Sequence, residues 1–253
     1  MKDIQLEKDV REVFLQKVGI NKIVRPITIN TKAGQIKSVA QIAFNVSLQK
    51  DKRAIHMSRL VEMLDSWDTI LSYESIQSIL NEIKKRMESN NSNIEFVFDY
   101  FREKISPVSQ KISKLHYKCK IDANDCDDFV YLTVKVPITS VCPCSKSISE
   151  YGAHNQRGVV EITVKVKDMD EIEDIIQRVE LAASMELFSI LKREDEKYVT
   201  EVAYENPKFV EDIARDVVLQ MRKIPQYLWY KVKVENFESI HNHNAYVSTS
   251  CDN

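Results

Sequence analysis

Thr139-Ser-Val-Cys-Pro-Cys-Ser-Lys-Ser-Ile-Ser-Glu-Tyr-Gly-Ala-His-Asn-Gln-Arg-Gly158 gathers two cysteines, a histidine, two basic residues and two of the chain's four glycines into twenty positions. Apolar, strand-like runs flank it on both sides, Phe129 to Val136 and Val159 to Val166. A thiol and an imidazole carried on a polar connection between two strands point to metal or nucleophile chemistry. This stretch is therefore expected to form half of an active site, with the other half in the last sixty or so residues.

Outward from that stretch, the pattern doubles. Towards the N-terminus, Ile20 to Asn30 and the alternating Ile36 to Leu48 read as a hairpin around a turn at residues 32–35, with Pro26 favouring an edge position. Helices are expected over Ser58 to Ser66, with Ser58 as cap, and over Tyr73 to Ser89, with Ser75 as cap. Strands follow over Ile94 to Phe101 and Ser109 to Ile121. The polar turn Ile121 to Asp128 marks the expected boundary between two halves. Beyond the central stretch, Met169 to Lys192 reads as one long helix with Ala183 and Leu187 inward, and Pro207 to Arg222 as a second. Strands Trp229 to Val234 and Ala245 to Ser250 close the chain. Val10 to Val18 reads as a short helix or arm. The order strand-strand-helix-helix-strand-strand thus occurs twice, which implies an α+β fold of antiparallel sheets with paired helices layered on one face. The expected organisation is an N-terminal arm at 1–20 and modules at 21–125 and 126–253.

Composition narrows the function. A net charge of -2 gives no reason to expect nucleic acid as a partner. No apolar run reaches the roughly 18 residues a membrane helix needs, and the charged N-terminal residues do not read as a signal peptide. An odd cysteine count of five argues for free thiols and a cytoplasmic location. Neither the glycine-rich dinucleotide turn nor the phosphate-cradling P-loop occurs.

Several residues could carry chemistry. Cys142 and Cys144 flank Pro143, and His154 follows Cys142 by twelve positions. Lys146 and Arg157 lie close enough to favour a thiolate. His241-Asn-His243 would place both imidazoles on one face of an extended chain. These soft and borderline donors suit zinc or iron. Glu196 sits in the charge run Leu191-Lys-Arg-Glu-Asp-Glu196, which by pattern alone is a solvated face, and Glu211 reads as a first-turn helix acid. His56 and Arg59, at the start of the first helix, make a reasonable phosphate seat. Each also has a plain structural reading, as a small buried thiol, a surface imidazole or an exposed helix charge.

Taken together, Pro137-Ile-Thr-Ser-Val-Cys-Pro-Cys-Ser-Lys146, Gly152-Ala-His-Asn-Gln-Arg157, Asn206-Pro-Lys-Phe-Val-Glu-Asp212, Glu238-Ser-Ile-His-Asn-His243 and His56-Met-Ser-Arg59 resemble the type IB GTP cyclohydrolases, the metal-dependent branch of GTP cyclohydrolase I. The resemblance implies tandem tunnelling-fold modules assembling into barrels within a homotetramer, with active sites at subunit interfaces. It implies hydrolytic opening of the GTP imidazole ring, release of formate and reclosure to 7,8-dihydroneopterin triphosphate, the first step toward tetrahydrofolate. It makes Cys142 a metal ligand and catalytic thiol, His154 and Glu196 metal ligands, His241 a metal-site and catalytic imidazole, and Glu211 the purine anchor. The ion is zinc, manganese or iron. His56, Arg59, Lys146 and Arg157 are left as candidates for holding GTP, and Cys144 and His243 receive no role. Two other assignments compete: a tunnelling-fold nitrile reductase using Cys142 as a covalent nucleophile, and a non-enzymatic protein whose Cys142, Cys144, His241 and His243 close a structural zinc site.

Overall fold

Strict alternation of apolar and polar side chains makes the strands of this chain. In the computed structural model, which describes residues 4–31, 34–67, 69–167 and 170–252, strand β4 (Ser92–Ile105) buries Ile94, Phe96, Phe98 and Tyr100. The residues between them remain partly open. β6 (Val130–Val141) repeats this with Leu132, Val134, Val136 and Ile138, and β7 (Asn155–Val166) with Val160, Ile162 and Val164. One face of each strand thus joins a core and the other does not, the period-two signature of an antiparallel sheet.

The chain divides into two compact units, residues 1–98 with 120–131 and 166–170, and residues 99–119 with 132–165 and 171–253. In the first, β1 (Leu15–Thr31) and β2 (Gly34–Leu48) form an antiparallel hairpin in the register Ile29↔Ile36 and Thr31↔Gly34. Two residues of the expected turn, 32 and 33, lie outside the described residues. β3 (Ile70–Leu71) joins β1 in parallel, and β2 pairs with the first half of β4. Helices α1 (Met57–Ser66) and α2 (Tyr73–Arg86) pack on each other and bury Leu60, Met63 and Leu64, and Ile76, Ile79, Leu80 and Ile83.

The second unit orders its strands as β4, β5 (Ile112–Asn124), β6, β7, β9 (Trp229–Asn236) and β10 (Ala245–Asp252), with the short β8 (Met185–Glu186) also on β6. Its helices are α3 (Pro143–Ile148), α4 (Ile172–Ala182), α5 (Arg193–Glu205) and α6 (Val210–Met221). α4 packs against α6, and α6 covers β9 and β10. The architecture is mixed α+β with extensive antiparallel sheet, as the doubled pattern implies.

Four local expectations are corrected. The long helix over 169–192 stops at Ala182. Ala183 turns extended, Ser184 Oγ accepts the Val141 N–H at 3.2 Å, and Met185 and Glu186 pair with Thr139 and Ile138. The carbonyls left open at the helix end are satisfied from a distant segment: Lys208 Nζ donates to Ala182 O at 2.9 Å, and Asn206 Nδ2 to Ala183 O at 3.0 Å. Ala183 and Leu187 match the helical period, but the ladder of Met185 and Glu186 with β6 lies between them and ends the helix. Second, residues 10–18 form no helix: β1 begins at Leu15, and Val10, Val13 and Phe14 are exposed. Third, Ser72, not Ser75, caps α2, its hydroxyl accepting the Ser75 N–H at 3.1 Å. His56, not Ser58, stands at the cap of α1, with no side-chain bond to the helix. Fourth, the charge run 191–196 is not uniformly solvated. It opens α5, and Asp195 is fully buried there.

Asp195 explains why α5 sits where it does. Its carboxylate accepts the N–H groups of Val108 (2.8 Å), Ser109 (2.9 Å) and Lys192 (2.8 Å) and the Ser109 hydroxyl. Burial alone would push this carboxyl up, but the hydrogen bonds from Ser109, Lys192 and Val108 overcome it and hold Asp195 far below the usual carboxylate range. A depressed folded-state value means stability that is complete above the unfolded carboxylate pKa of about 4 and lost as pH falls below it towards the folded value. In Tm measurements across pH, Asp195→Asn is therefore expected to melt below the wild type at pH 6–8, with the gap narrowing as the pH drops below about 4. A constant gap over that range would contradict the assignment.

Candidate active site

β6 ends where Cys142 begins the central connection, and β7 starts one residue after His154. The two residues are joined through the backbone: the Cys142 N–H donates to His154 O at 3.1 Å. The loop closed by that bond holds α3, a helix the sequence reading did not include. Cys142 occupies its cap position, with Sγ accepting the Ser145 N–H at 3.5 Å, and Pro143 takes the first helical position, where a missing N–H costs nothing. Ser145 Oγ donates to Cys142 O and accepts the His154 N–H, both at 3.2 Å. Thiol and imidazole thus sit on a loop braced from inside. Both residues are half-buried, and Cys144 is exposed.

The imidazole of His154 is braced as well. Its Nδ1 lies 2.8 Å from Gln156 Oε1. The Gln156 amide nitrogen donates to Ser140 Oγ at 2.8 Å, and Asn236 Nδ2 donates to the same hydroxyl at 3.0 Å. Because the amide nitrogen faces Ser140, the oxygen faces His154 and must accept. Nδ1 therefore carries the ring proton, and the lone pair lies on Nε2. Ser140, Gln156 and Asn236 come from three adjacent strands, β6, β7 and β9, and all three are buried. Gly158 permits that convergence: a Cβ there would lie 2.6 Å from Asn236 Oδ1 and 2.8 Å from Glu235 O.

The loop after β9 reaches the same corner. The Phe237 N–H donates to Arg157 O at 2.9 Å, and Ser239 Oγ lies 3.4 Å from His154 Nδ1. Two residues on, His241 and His243 stack with ring centroids 4.9 Å apart and planes at 16°. They lie in an exposed bend rather than on an extended strand, so stacking and not alternation places them side by side. The far end of this loop is anchored by Asn244 Nδ2 on Glu235 Oε1 at 2.9 Å.

The other predicted residues are spread more widely. Glu196 is exposed in the first turn of α5. Glu211 is exposed in the first turn of α6 and lines an open groove with Arg215, Arg222, Val247 and Thr249. Arg157 is exposed on β7. Lys146 extends to α5, where its ammonium donates to Tyr204 O at 2.5 Å and lies 4.2 Å from the centre of the Tyr204 ring. His56 and Arg59 belong to the first unit, where they line a pocket with Lys8, Lys52 and Arg86. Among the described residues, no three His, Cys, Asp or Glu side chains are gathered closely enough to share a metal ion. One chain therefore presents Cys142 and His154 on a common frame without drawing Glu196 in beside them. Sequence reasoning missed Ser140, Gln156 and Asn236. The available signal was strand phase: Ser140 and Gln156 fall on the inward-facing positions of β6 and β7, where a polar side chain requires a partner.

The fold places the chain in a broad class first. It is similar to solved urate oxidases, among them a highly active mutant of the Bacillus sp. TB-90 enzyme, with a TM-score of 0.54 at 10% identity over 94% of this chain and 100% of that one. The uricase of Arthrobacter globiformis gives 0.51 at 7% identity, over 100% and 96%. These likenesses identify a tunnelling fold. The family model described as type I GTP cyclohydrolase FolE2 matches residues 1–247, and the chain belongs to that family. It is 50% identical to a GTP cyclohydrolase FolE2 of Dictyoglomus thermophilum over 248 residues, 97% of this chain and 96% of that one. It is 44% identical to one of Thermosipho africanus over 255 residues, 100% and 98% of the two chains.

Gly158→Ala tests whether the frame depends on close approach of β7 and β9. The new methyl would meet backbone and a buried amide, so a loss of about 1–3 kcal/mol is expected in denaturant unfolding. Unchanged stability would show that the strands can separate at that point.

Proposed function

We propose that this chain is a GTP cyclohydrolase that opens the imidazole ring of GTP by hydrolysis, releases formate and recloses the product to 7,8-dihydroneopterin triphosphate, the first step of tetrahydrofolate biosynthesis. The observation that carries the proposal is the Cys142–His154 frame in a chain that belongs to the type I GTP cyclohydrolase FolE2 family. The donor set fits a divalent metal, zinc, manganese or iron: a thiol, a carboxylate at Glu196, and an imidazole whose Nε2 keeps its lone pair because Nδ1 is bonded to Gln156. When bound, such an ion lowers the pKa of a coordinated water to roughly 7 and so provides a nucleophile for C8 of guanine at neutral pH.

The chain's own residues do the rest. Glu211 offers two carboxylate oxygens to the N1–H and N2–H₂ donors of guanine. Adenine lacks that donor pair, so the contact selects the base. His241, on the loop beside His154, moves protons during ring opening and reclosure. Arg157 supplies a cationic seat for the triphosphate; Arg59, with His56 beside it in the first unit, is a separate candidate seat. Lys146 contributes charge from its position over Tyr204.

We further propose that two modules, 21–125 and 126–253 behind an arm at 1–20, assemble in a homotetramer of barrels, with each pocket completed by a second copy. Two features support this. Among the described residues of one chain, Cys142 and His154 have no third donor gathered beside them. Among the described residues β10 pairs on one side only, with β9, leaving Tyr246 exposed. The five cysteines are unpaired, in keeping with a cytoplasmic enzyme.

Incubation with GTP and each divalent metal in turn, followed by oxidation, is expected to yield pterin fluorescence and formate. NADPH consumption with a nitrile substrate and no pterin would contradict the proposal. Cys142→Ala is expected to abolish turnover while leaving the far-ultraviolet circular dichroism unchanged; loss of folding on chelation would instead indicate a structural metal. Glu211→Gln replaces one acceptor with a donor that faces other donors, so GTP binding by calorimetry should weaken about 100-fold with metal content unchanged. Unchanged affinity would remove Glu211 from the pocket.

A further inference from the structure

We infer that Gln156 is a positioning residue for His154, and that the buried relay Gln156–Ser140–Asn236 fixes which imidazole nitrogen is offered to the metal. The inference rests on the proposal that His154 is a metal ligand. A histidine can bind through either nitrogen, and the partner of the other nitrogen decides which one. Here the partner is a neutral amide. It can accept from Nδ1–H or donate to an unprotonated Nδ1, depending on how it is turned. An isolated glutamine would leave that choice open.

The strands remove the choice. Gln156 is 7% exposed and Ser140 0%. The Gln156 amide nitrogen is held on Ser140 Oγ at 2.8 Å, and Asn236 Nδ2 approaches the same oxygen at 3.0 Å. With Ser140 Oγ accepting from the Gln156 amide, Gln156 presents its oxygen to His154, at 2.8 Å from Nδ1. Turning the amide over would place its oxygen against Ser140 and its NH₂ against the ring, which then reverses the tautomer. Asn236 opposes that reversal once its own amide is turned: Oδ1, otherwise buried without a partner, then takes the Ser140 O–H, and Ser140 Oγ is left only to accept from Gln156. The second group near Nδ1, Ser239 Oγ at 3.4 Å, is more distant and belongs to an exposed loop, so it does not set the tautomer. The relay crosses β6, β7 and β9, so sheet pairing itself orients the ligand. A ligand held this way does not have to be ordered when the ion binds, and loss of such a partner typically weakens metal binding 10- to 100-fold.

The test uses the full-length protein carrying ¹⁵N-labelled histidine, in wild-type form and as Gln156→Ala, Gln156→Glu and His154→Ala. Long-range ¹H–¹⁵N spectra of the metal-free protein report which ring nitrogen is protonated, and chelator competition reports zinc affinity. In the wild type, the His154 ring is expected to be protonated at Nδ1. Gln156→Ala should give mixed tautomers and zinc binding weaker by roughly 10- to 100-fold, with kcat falling more than KM rises. Gln156→Glu keeps an acceptor beside Nδ1–H and should restore both the tautomer and most of the affinity, which a purely structural role would not predict. The inference is overturned if Gln156→Ala retains the Nδ1–H tautomer and wild-type zinc affinity, or if Gln156→Glu behaves as Gln156→Ala does. If His154→Ala itself binds zinc as tightly as the wild type, the metal-ligand proposal for His154 fails instead, and the two failures are told apart.

Discussion

A single backbone hydrogen bond, from the Cys142 amide to the His154 carbonyl, closes the central stretch into one frame. Without it, the end of β6 and the start of β7 would be joined by a free polar loop of thirteen intervening residues. With it, the loop becomes a braced ring in which α3 and the Ser145 hydroxyl fix the residues on either side. Thiol and imidazole are then placed by sheet geometry rather than by loop preference, as accurate chemistry requires.

The support runs outward from that bond through ordinary forces. Alternating apolar residues pair the strands, and the same alternation sends a few polar side chains inward, where each must find a partner. Ser140, Gln156 and Asn236 find one another. Asp195 finds three amides and a hydroxyl, and so joins α5 to the segment around Ser109. The end of α4 is finished by Asn206 and Lys208, from the segment that leads into α6. Buried polar contacts thus set the positions of helices whose apolar faces alone would allow several.

Much of this was legible in the sequence where one periodicity dominates. The hairpin of β1 and β2, helix α2 and helix α6 all follow from spacing, and the cysteine–histidine block falls on one braced connection between β6 and β7. Legibility failed where a distant segment decides the outcome. Ala183 and Leu187 continue a helical pattern, yet pairing of Met185 with Thr139 ends the helix. Asp195 sits among charges that are exposed, and only the amides of Val108 and Ser109 draw it inside. Motif resemblance named Cys142 and His154, but not the glutamine two residues further on that turns the imidazole. Glu196 and Glu211 were recognised by motif alone, and a single chain leaves both of them open to solvent.

The central claim is that this frame offers a sulfur and one chosen nitrogen to the same ion. Anomalous diffraction from crystals of the protein loaded with zinc and a non-hydrolysable GTP analogue tests it most directly. The account predicts one ion bonded to Cys142 Sγ and His154 Nε2, with Nδ1 still on Gln156 and the guanine edge on Glu211. An ion bound through His154 Nδ1, or bound away from Cys142, would contradict it.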